Sequence, residues 1–248
     1  SPYSILNGYL TASLVVIIAL FIYIFTHYDI RPALRYKSEW IKYLMFSLPA
    51  LPTLLSSWFF TYVDRYFISY YSGTGEVGIY SLAYTLGSLP MFFVSPLGTV
   101  LFPVLSKLWD EKKYVEGKRK VQSSMFAFLI FGIPFLVIIF FFSKSLLTFI
   151  SANSEFGVQG RWITPIVALS HIFFGLIYLL NYFYYSIKKT YYITIIFVIG
   201  AAINFITNLW FVPKYGSLGA AVTTLLSFVL MFIITLVFIV KLGFKHEK

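Results

Sequence analysis

A long apolar stretch over residues 40–78 most constrains how this chain can fold. As a helix, residues 41–70 alone would span roughly 45 Å, whereas the hydrocarbon core of a bilayer is about 30 Å thick. The stretch is therefore long enough to cross a membrane with residues to spare. Asp64 and Arg65 lie in its second half. Because charged side chains are costly against lipid, we expect both to face protein, a cavity or the interface.

The composition extends this prediction to the whole chain. Of its 248 residues 59% are hydrophobic and only 11% are charged, against about 25% charged in soluble domains. Six further apolar runs of span length lie at residues 6–25, 77–101, 123–142, 162–182, 191–211 and 218–240. These runs lack the every-second-residue alternation of barrel strands. The sequence thus predicts an all-α, polytopic membrane helix bundle with seven spans in the cell membrane.

The distribution of basic residues predicts the orientation of these spans. The net charge of +10 does not indicate nucleic-acid binding, because Lys and Arg lie in short loops between apolar runs. If the loop with Arg31 and Lys42 is cytoplasmic, alternation places 15 basic residues inside and 3 outside, with Arg65 at or below the outer interface. This asymmetry predicts a cytoplasmic C-terminus and an external N-terminus. An external N-terminus without a signal peptide in turn predicts earlier spans upstream.

The second span carries a polar stripe. Ser57, Thr61 and Asp64 follow one another at spacings of four and three, which places them on one side of an apolar helix. One interpretation is a lumen-facing patch for a polar or anionic substrate, with Arg65 as a phosphate contact. The other is an interfacial pair, Asp64 and Arg65, that anchors the outer end of the helix.

Four more polar residues are candidate substrate contacts. Asn204 and Asn208 share a helix face at i and i+4, and either bind a polar ligand or lock a neighbouring helix. His171 lies inside the fifth span with no second metal ligand nearby, so it forms a helix–helix hydrogen bond, contacts the lumen or couples protons. Arg161 precedes the boundary residue Trp162 and could meet an anionic head group at the outer mouth.

Prolines within or beside the spans are candidate hinges, because proline removes a backbone donor and bends a helix. They are Pro49, Pro52, Pro90 and Pro134.

The sequence lacks the residues and motifs that several kinds of catalysis and metal binding require. Cysteine is absent, and we find no P-loop, no His-Glu-x-x-His motif and no plausible Ser-His-Asp arrangement. The sequence therefore predicts no enzyme activity, no catalytic residue, no metal site and no cofactor. Because the loops are short, any function must be performed inside the membrane bundle.

Four segments in order resemble a known family. They are SLPALPTLLSSWFFTYVDRYFISYYSG with the following EVGIYSLAY, FPVLSKLWDE, the KKT at residues 188–190, and NFITNLWFVPKYGSLGAAVTTLLS. Together they resemble the C-terminal half of Wzx-like oligosaccharide flippases, the polysaccharide biosynthesis proteins of the multidrug/oligosaccharidyl-lipid/polysaccharide exporter superfamily. The signature positions are Pro49, Asp64, Arg65, Gly78, Tyr80, Pro103, Asn204, Asn208, Pro213, Gly216, Gly219, Ala220 and Ala221.

The resemblance implies an architecture and a function. Members have two six-helix lobes around a central cavity and are thought to move lipid-diphosphate-linked oligosaccharides by alternating access. Residues 1–36 would then hold the last span of the first lobe with a basic linker, and residues 37–248 the C-terminal lobe. The implied partners are the lipid bilayer, the lipid-diphosphate-linked oligosaccharide and an N-terminal lobe of the same protein.

Three alternatives stay open at this point. A drug or metabolite exporter of the same superfamily would share the fold, and a cavity carboxylate such as Asp64 would favour it. A lipid-linked sugar polymerase or ligase would need a large outer loop with paired functional residues, and residues 143–161 are too few for one. In a purely structural membrane scaffold the polar stripe would be dispensable.

Overall fold

The structure is a computed structural model that describes residues 2–28, 40–41, 44, 48 and 51–246. All regular secondary structure in these residues is helical, which confirms the predicted all-α class. The chain divides into two units, Ser1–Ser47 and Leu48–Lys248. The first unit contains helix α1, Pro2–His27, whose described side chains are all exposed. The predicted domain boundary after residue 36 and the basic residues around it lie outside the described residues.

The second unit contains the other helices. They are α2 (Leu51–Ser72), α3 (Thr74–Gly87), a 3-10 segment (Leu89–Phe93), α4 (Val94–Asp110), α5 (Tyr114–Ser151), α6 (Ser154–Gly160), α7 (Ile163–Ser186) and α8 (Tyr191–His246). α7 is the central helix of this unit and packs against α3, α4, α5 and α8. Since 16 of its 24 residues are buried, most of its circumference meets other helices.

Five stretches of the described chain are long and apolar enough to cross a membrane. They are Asn7–His27, Thr74–Asp110, Tyr114–Ser151, Ile163–Ser186 and Tyr191–Leu242. The last includes both the sixth and the seventh predicted spans, which form two arms of α8 on either side of Gly216. The second predicted span corresponds to α2, which is not among the five. α2 is the helix that carries Asp64 and Arg65, and it packs against α8 and α3.

The predicted hinge prolines lie in different settings. Pro52 is the second residue of α2, where a missing N–H leaves no helical hydrogen bond unmade. Pro90 lies in the 3-10 segment that separates α3 from α4, and Pro134 lies inside α5. Pro49 lies outside the described residues. Hinge motion stays a prediction at all four positions.

The kink of α8 depends on Gly216. Its φ of 54° and ψ of −136° are a backbone conformation that residues with a Cβ rarely adopt. The Glu76 side chain from α3 lies against this turn, and Ser217 donates a hydrogen bond of 3.0 Å to Glu76 Oε1. A Cβ at Gly216 would lie 2.8 Å from the same oxygen. Backbone conformation and space therefore both require glycine where the two arms meet.

We expect Gly216→Ala to destabilise the protein by about 1–3 kcal/mol, the cost of a strained backbone conformation. The measurement is the melting temperature of the purified protein in detergent. Gly75→Ala is the matched control, because Gly75 has no positive φ and open space around its Cβ position. Equal melting temperatures for the two variants would contradict this account of the kink.

Candidate functional site

Asp64 is the centre of a buried polar cluster between three helices. Its side chain is 1% exposed and accepts hydrogen bonds from Tyr80 of α3 and from Asn208 and Thr224 of α8. The distances are 2.6 Å from the Tyr80 hydroxyl, 2.8 Å from Asn208 Nδ2 and 2.8 Å from the Thr224 hydroxyl. Neutral donors therefore stabilise this carboxylate and hold α2 against α3 and both arms of α8.

Asn208 extends the cluster within α8. Its Nδ2 also donates to Asn204 Oδ1 at 3.1 Å, and its Oδ1 accepts a hydrogen bond of 2.7 Å from the Thr223 hydroxyl. Asn204 is 1% exposed, and its Nδ2 has no partner among the described residues. Asn208 is thus fully engaged in joining helices, whereas Asn204 keeps an unused donor. We call Asp64, Tyr80, Asn204, Asn208, Thr223 and Thr224 the Asp64 cluster.

Arg65 points to a different side of α2 from Asp64, as neighbours about 100° apart on a helix must. Its Nε donates to the Ser81 hydroxyl of α3 at 3.0 Å, and one terminal nitrogen donates to the Thr61 carbonyl oxygen. The guanidinium carbon lies 5.0 Å from the ring centre of Tyr84 and 5.6 Å from that of Tyr62, within cation–π range.

No carboxylate of the described residues forms an ion pair with Arg65, and Asp64 is not its partner. The side chain is only partly buried. Aromatic faces and hydroxyl groups thus hold a permanent cation on a helix of membrane length without a direct ion pair. Such a group can bind an anion through its remaining N–H donors.

Ser57 and Thr61, the other members of the predicted stripe, are half-buried. Their hydroxyls donate to backbone carbonyls one turn earlier in α2, both at 3.0 Å. These bonds satisfy the hydroxyl hydrogens but leave acceptor lone pairs on both oxygens. Thr61 also contributes to the Arg65 site through its carbonyl oxygen.

His171 is buried among aromatic rings. Its Nδ1 lies 2.9 Å from the Val167 carbonyl oxygen in the same helix, and its ring meets Tyr84 and Phe228 edge to face at 5.1 and 5.9 Å. The Tyr84 ring also contacts the Arg65 guanidinium. His171 therefore packs against a ring that helps to position Arg65. The contacts of Nδ1 are within α7, whereas the contacts with α3 and α8 are between rings.

Arg161 is exposed between α6 and α7, with its guanidinium carbon 4.7 Å from the Trp162 ring centre. Its backbone carbonyl accepts a hydrogen bond of 2.7 Å from Ser143 of α5. The structure therefore brings Asp64, Asn204 and Asn208 together, and Arg65 with Thr61. Arg161 contacts neither group.

Sequence reasoning missed some of the residues that complete these sites. Ser81, Thr223 and Thr224 were not singled out, and Tyr80 appeared only as a family signature. The tandem Thr223–Thr224 in an Ala- and Leu-rich span was a usable signal, since two adjacent hydroxyls there need partners. Ser81 gave no such signal. Among the described residues no three His, Cys, Asp or Glu side chains lie together as metal ligands.

Comparison with known sequences supports the predicted family. The profile of the family described as polysaccharide biosynthesis protein matches residues 3–109. An uncharacterized membrane protein of Methanocaldococcus jannaschii is 27% identical in an alignment of 197 positions that covers 75% of this chain and 36% of that protein. The probable low-salt glycan biosynthesis flippase Agl15 of Haloferax volcanii is 21% identical over 80% of this chain and 41% of its own length.

Solved structures share the fold. The lipid II flippase MurJ in its inward closed conformation superposes with a TM-score of 0.78 at 24% identity, over 94% of this chain and 50% of MurJ. An outward-facing multidrug resistance MATE family transporter of the MOP superfamily gives 0.65 at 16% identity, over 76% and 42%. The chain spans half the length or less of these proteins and of the curated relatives it matches.

The fold and the apolar helices of span length define a polytopic helical membrane protein. More particularly, residues 3–109 match the family described as polysaccharide biosynthesis protein, and this match and the similarity to Agl15 support the predicted resemblance to Wzx-like flippases.

Proposed function

We propose that the protein moves a lipid-linked oligosaccharide across the cytoplasmic membrane by alternating access. The observation that carries this proposal is Arg65, a partly buried cation on a membrane-length helix without a carboxylate partner in the described chain. The guanidinium contacts the Tyr84 ring and donates one hydrogen bond to Ser81. Its remaining N–H groups can donate two parallel hydrogen bonds to a diphosphate. The family match and the similarity to Agl15 support a glycan as the cargo.

In this proposal residues 37–248 form one lobe, and a second lobe of the same protein completes the cavity. The chain covers 50% of MurJ at a TM-score of 0.78, which is consistent with one half of such a transporter. The Asp64 cluster then has a positioning role, since it fixes the helix that presents Arg65. Asp64 is buried and accepts hydrogen bonds from three protein donors, so it is not the cavity-lining carboxylate that would favour a drug exporter.

The test is glycan export in cells that lack their own flippase and produce the intact protein. We expect the wild-type protein to restore surface glycan, and Arg65→Ala to fail at matched protein levels. A drug exporter would instead leave glycan export absent and raise resistance to cationic drugs. That result would contradict a glycan cargo and indicate a cationic drug instead.

We further propose that the C-terminus is cytoplasmic. Two basic turns, at residues 107–120 and 188–189, lie at the same end of the second unit, because Trp109 packs edge to face on Phe183 at 5.6 Å. Lys113 pairs with Glu111 at 2.8 Å there, and this hydrogen bond lowers the pKa of Glu111. The positive-inside rule assigns such an end to the cytoplasm.

Cysteine labelling tests this orientation, because the sequence has no native cysteine. A membrane-impermeant thiol reagent should label Gly75→Cys in intact cells and should label Lys113→Cys only after permeabilisation. The exposed Lys113–Glu111 pair contributes little stability, so the substitution leaves the fold unchanged. Labelling of Lys113→Cys in intact cells would reverse the proposed orientation.

A further inference from the structure

A groove between α4 and α7 is not explained by the sites above. It encloses about 570 Å³ and is lined by Met91, Val94, Ser95, Gly98, Thr99, Phe102, Pro103, Tyr178 and Tyr182. Gly98 forms part of its wall, and a Cβ at this position would overlap the Tyr182 hydroxyl. The absence of a side chain at Gly98 therefore lets Tyr182 lie across the α4 backbone.

The polar atoms of this groove are neutral hydroxyls. Four come from Ser95, Thr99, Tyr178 and Tyr182, and no charged side chain is among the residues that line it. Thr99 donates its hydrogen to the Ser95 carbonyl at 3.0 Å, so its oxygen offers acceptor lone pairs to a ligand. Apolar and aromatic walls with a few oriented polar groups are typical of a small-molecule site.

The groove is close to the helix that carries Arg65. The Tyr178 side chain interacts with Ser57 of α2, in the polar stripe that also includes Thr61. Ser81 of α3 accepts a hydrogen bond from Arg65. Thr85 follows Ser81 on α3 after four residues, and Ser88 lies three residues later at the C-terminal cap of the helix. The Thr85 and Ser88 hydroxyls donate to the carbonyls of Ser81 and Thr85 at 2.8 and 2.9 Å, so their oxygens also remain acceptors.

We propose that the groove between α4 and α7 binds a neutral sugar unit of the lipid-linked substrate. This inference rests on the proposed function and adds the part of the substrate that the groove recognises. Sugar hydroxyls can donate to the Thr99 and Ser95 oxygens and exchange hydrogen bonds with Tyr182. A diphosphate would find no cation among the described residues that line this groove. A lipid tail would offer no hydrogen-bond donor to the acceptor lone pairs of Ser95 and Thr99 and no partner to the Tyr182 hydroxyl, which disfavours it.

The test compares two ligands with the purified intact protein. One is a polyprenyl diphosphate that carries a neutral oligosaccharide, and the other is the same polyprenyl diphosphate without sugar. Thr99→Val keeps the side-chain shape but loses the hydroxyl, and Tyr182→Phe does the same for the aromatic wall. We expect each variant to weaken binding of the sugar-bearing lipid by about tenfold, roughly the loss of one neutral hydrogen bond. Binding of the sugar-free lipid should not change.

Thr207→Val is the matched control, because the Thr207 hydroxyl likewise donates to a carbonyl of its own helix but does not line the groove. Unchanged binding of the sugar-bearing lipid by Thr99→Val and Tyr182→Phe would overturn the sugar site and leave the proposed function standing. Equal weakening for both lipids would assign the groove to the tail or the diphosphate and also overturn it. If the wild-type protein binds neither lipid, the proposed function fails first and this inference fails with it.

Discussion

Replacing Asp64 by alanine is expected to destabilise the protein more than any other single substitution at the candidate sites. The change leaves the donors of Tyr80, Asn208 and Thr224 buried without their acceptor. Each unsatisfied buried donor costs about 1–3 kcal/mol, so the total is roughly 3 kcal/mol or more. We expect the melting temperature in detergent to fall by about 6–12 °C, at 2–4 °C per kcal/mol for a chain of this size.

Asp64→Asn separates shape from charge. The amide keeps the volume but replaces one acceptor oxygen by an NH2 donor. This group then faces another donor, either Asn208 Nδ2 or the Tyr80 and Thr224 hydroxyls. We expect a loss between those of the wild type and Asp64→Ala. Glu111→Gln is the exposed control and should leave the melting temperature unchanged. A melting temperature of Asp64→Ala within error of the wild type would contradict the role of the cluster in joining α2, α3 and α8.

Replacing Arg65 by lysine is expected to impair transport almost as much as replacing it by alanine. Lysine keeps the charge but lacks the planar fork that can hold a diphosphate at two points, and it loses the Nε bond to Ser81. A charge-assisted hydrogen bond contributes about 1.5–3 kcal/mol. Export should therefore fall by roughly tenfold to a hundredfold in both variants, at matched protein levels.

The same pair of substitutions at Arg119 provides the control for Arg65. Arg119 is exposed near the start of α5 and lies in the basic turn rather than on α2. We expect Arg119→Lys and Arg119→Ala to export glycan normally. If both Arg65 variants also export at the wild-type level, Arg65 anchors α2 at the membrane interface and does not bind substrate.

Much of the fold could be predicted from the sequence, because apolar runs of bilayer length have few alternatives to helices. The third predicted span is one candidate membrane crossing in the structure, but it consists of α3, a 3-10 segment with Pro90, and α4. Hydropathy averages over such a break and does not detect it. The turn between the sixth and seventh predicted spans was visible as a polar interruption, whereas its dependence on the Glu76 side chain was not.

The candidate site could be predicted only in part. The spacing of Asn204 and Asn208 placed them on one face, and the structure joins Asn208 to Asp64. The partners of Asp64 come from 16 to 160 residues further along the chain, and no local pattern indicates such contacts. The predicted stripe also treated Asp64 as lining a polar surface, whereas the tertiary packing buries it and leaves Arg65 partly exposed.

Translocation in a purified system tests the proposed function most directly. The intact protein is reconstituted into liposomes that contain a polyprenyl diphosphate oligosaccharide with a fluorophore on its sugar, and a membrane-impermeant quencher is added outside. We predict that wild-type protein brings inner-leaflet label to the quencher, so that nearly all fluorescence is lost within minutes. In liposomes with Arg65→Ala, only the fluorescence of the outer leaflet, about half of the total, should be quenched. Identical quenching by wild-type protein and protein-free liposomes would contradict the proposal that this protein is a flippase for lipid-linked oligosaccharides.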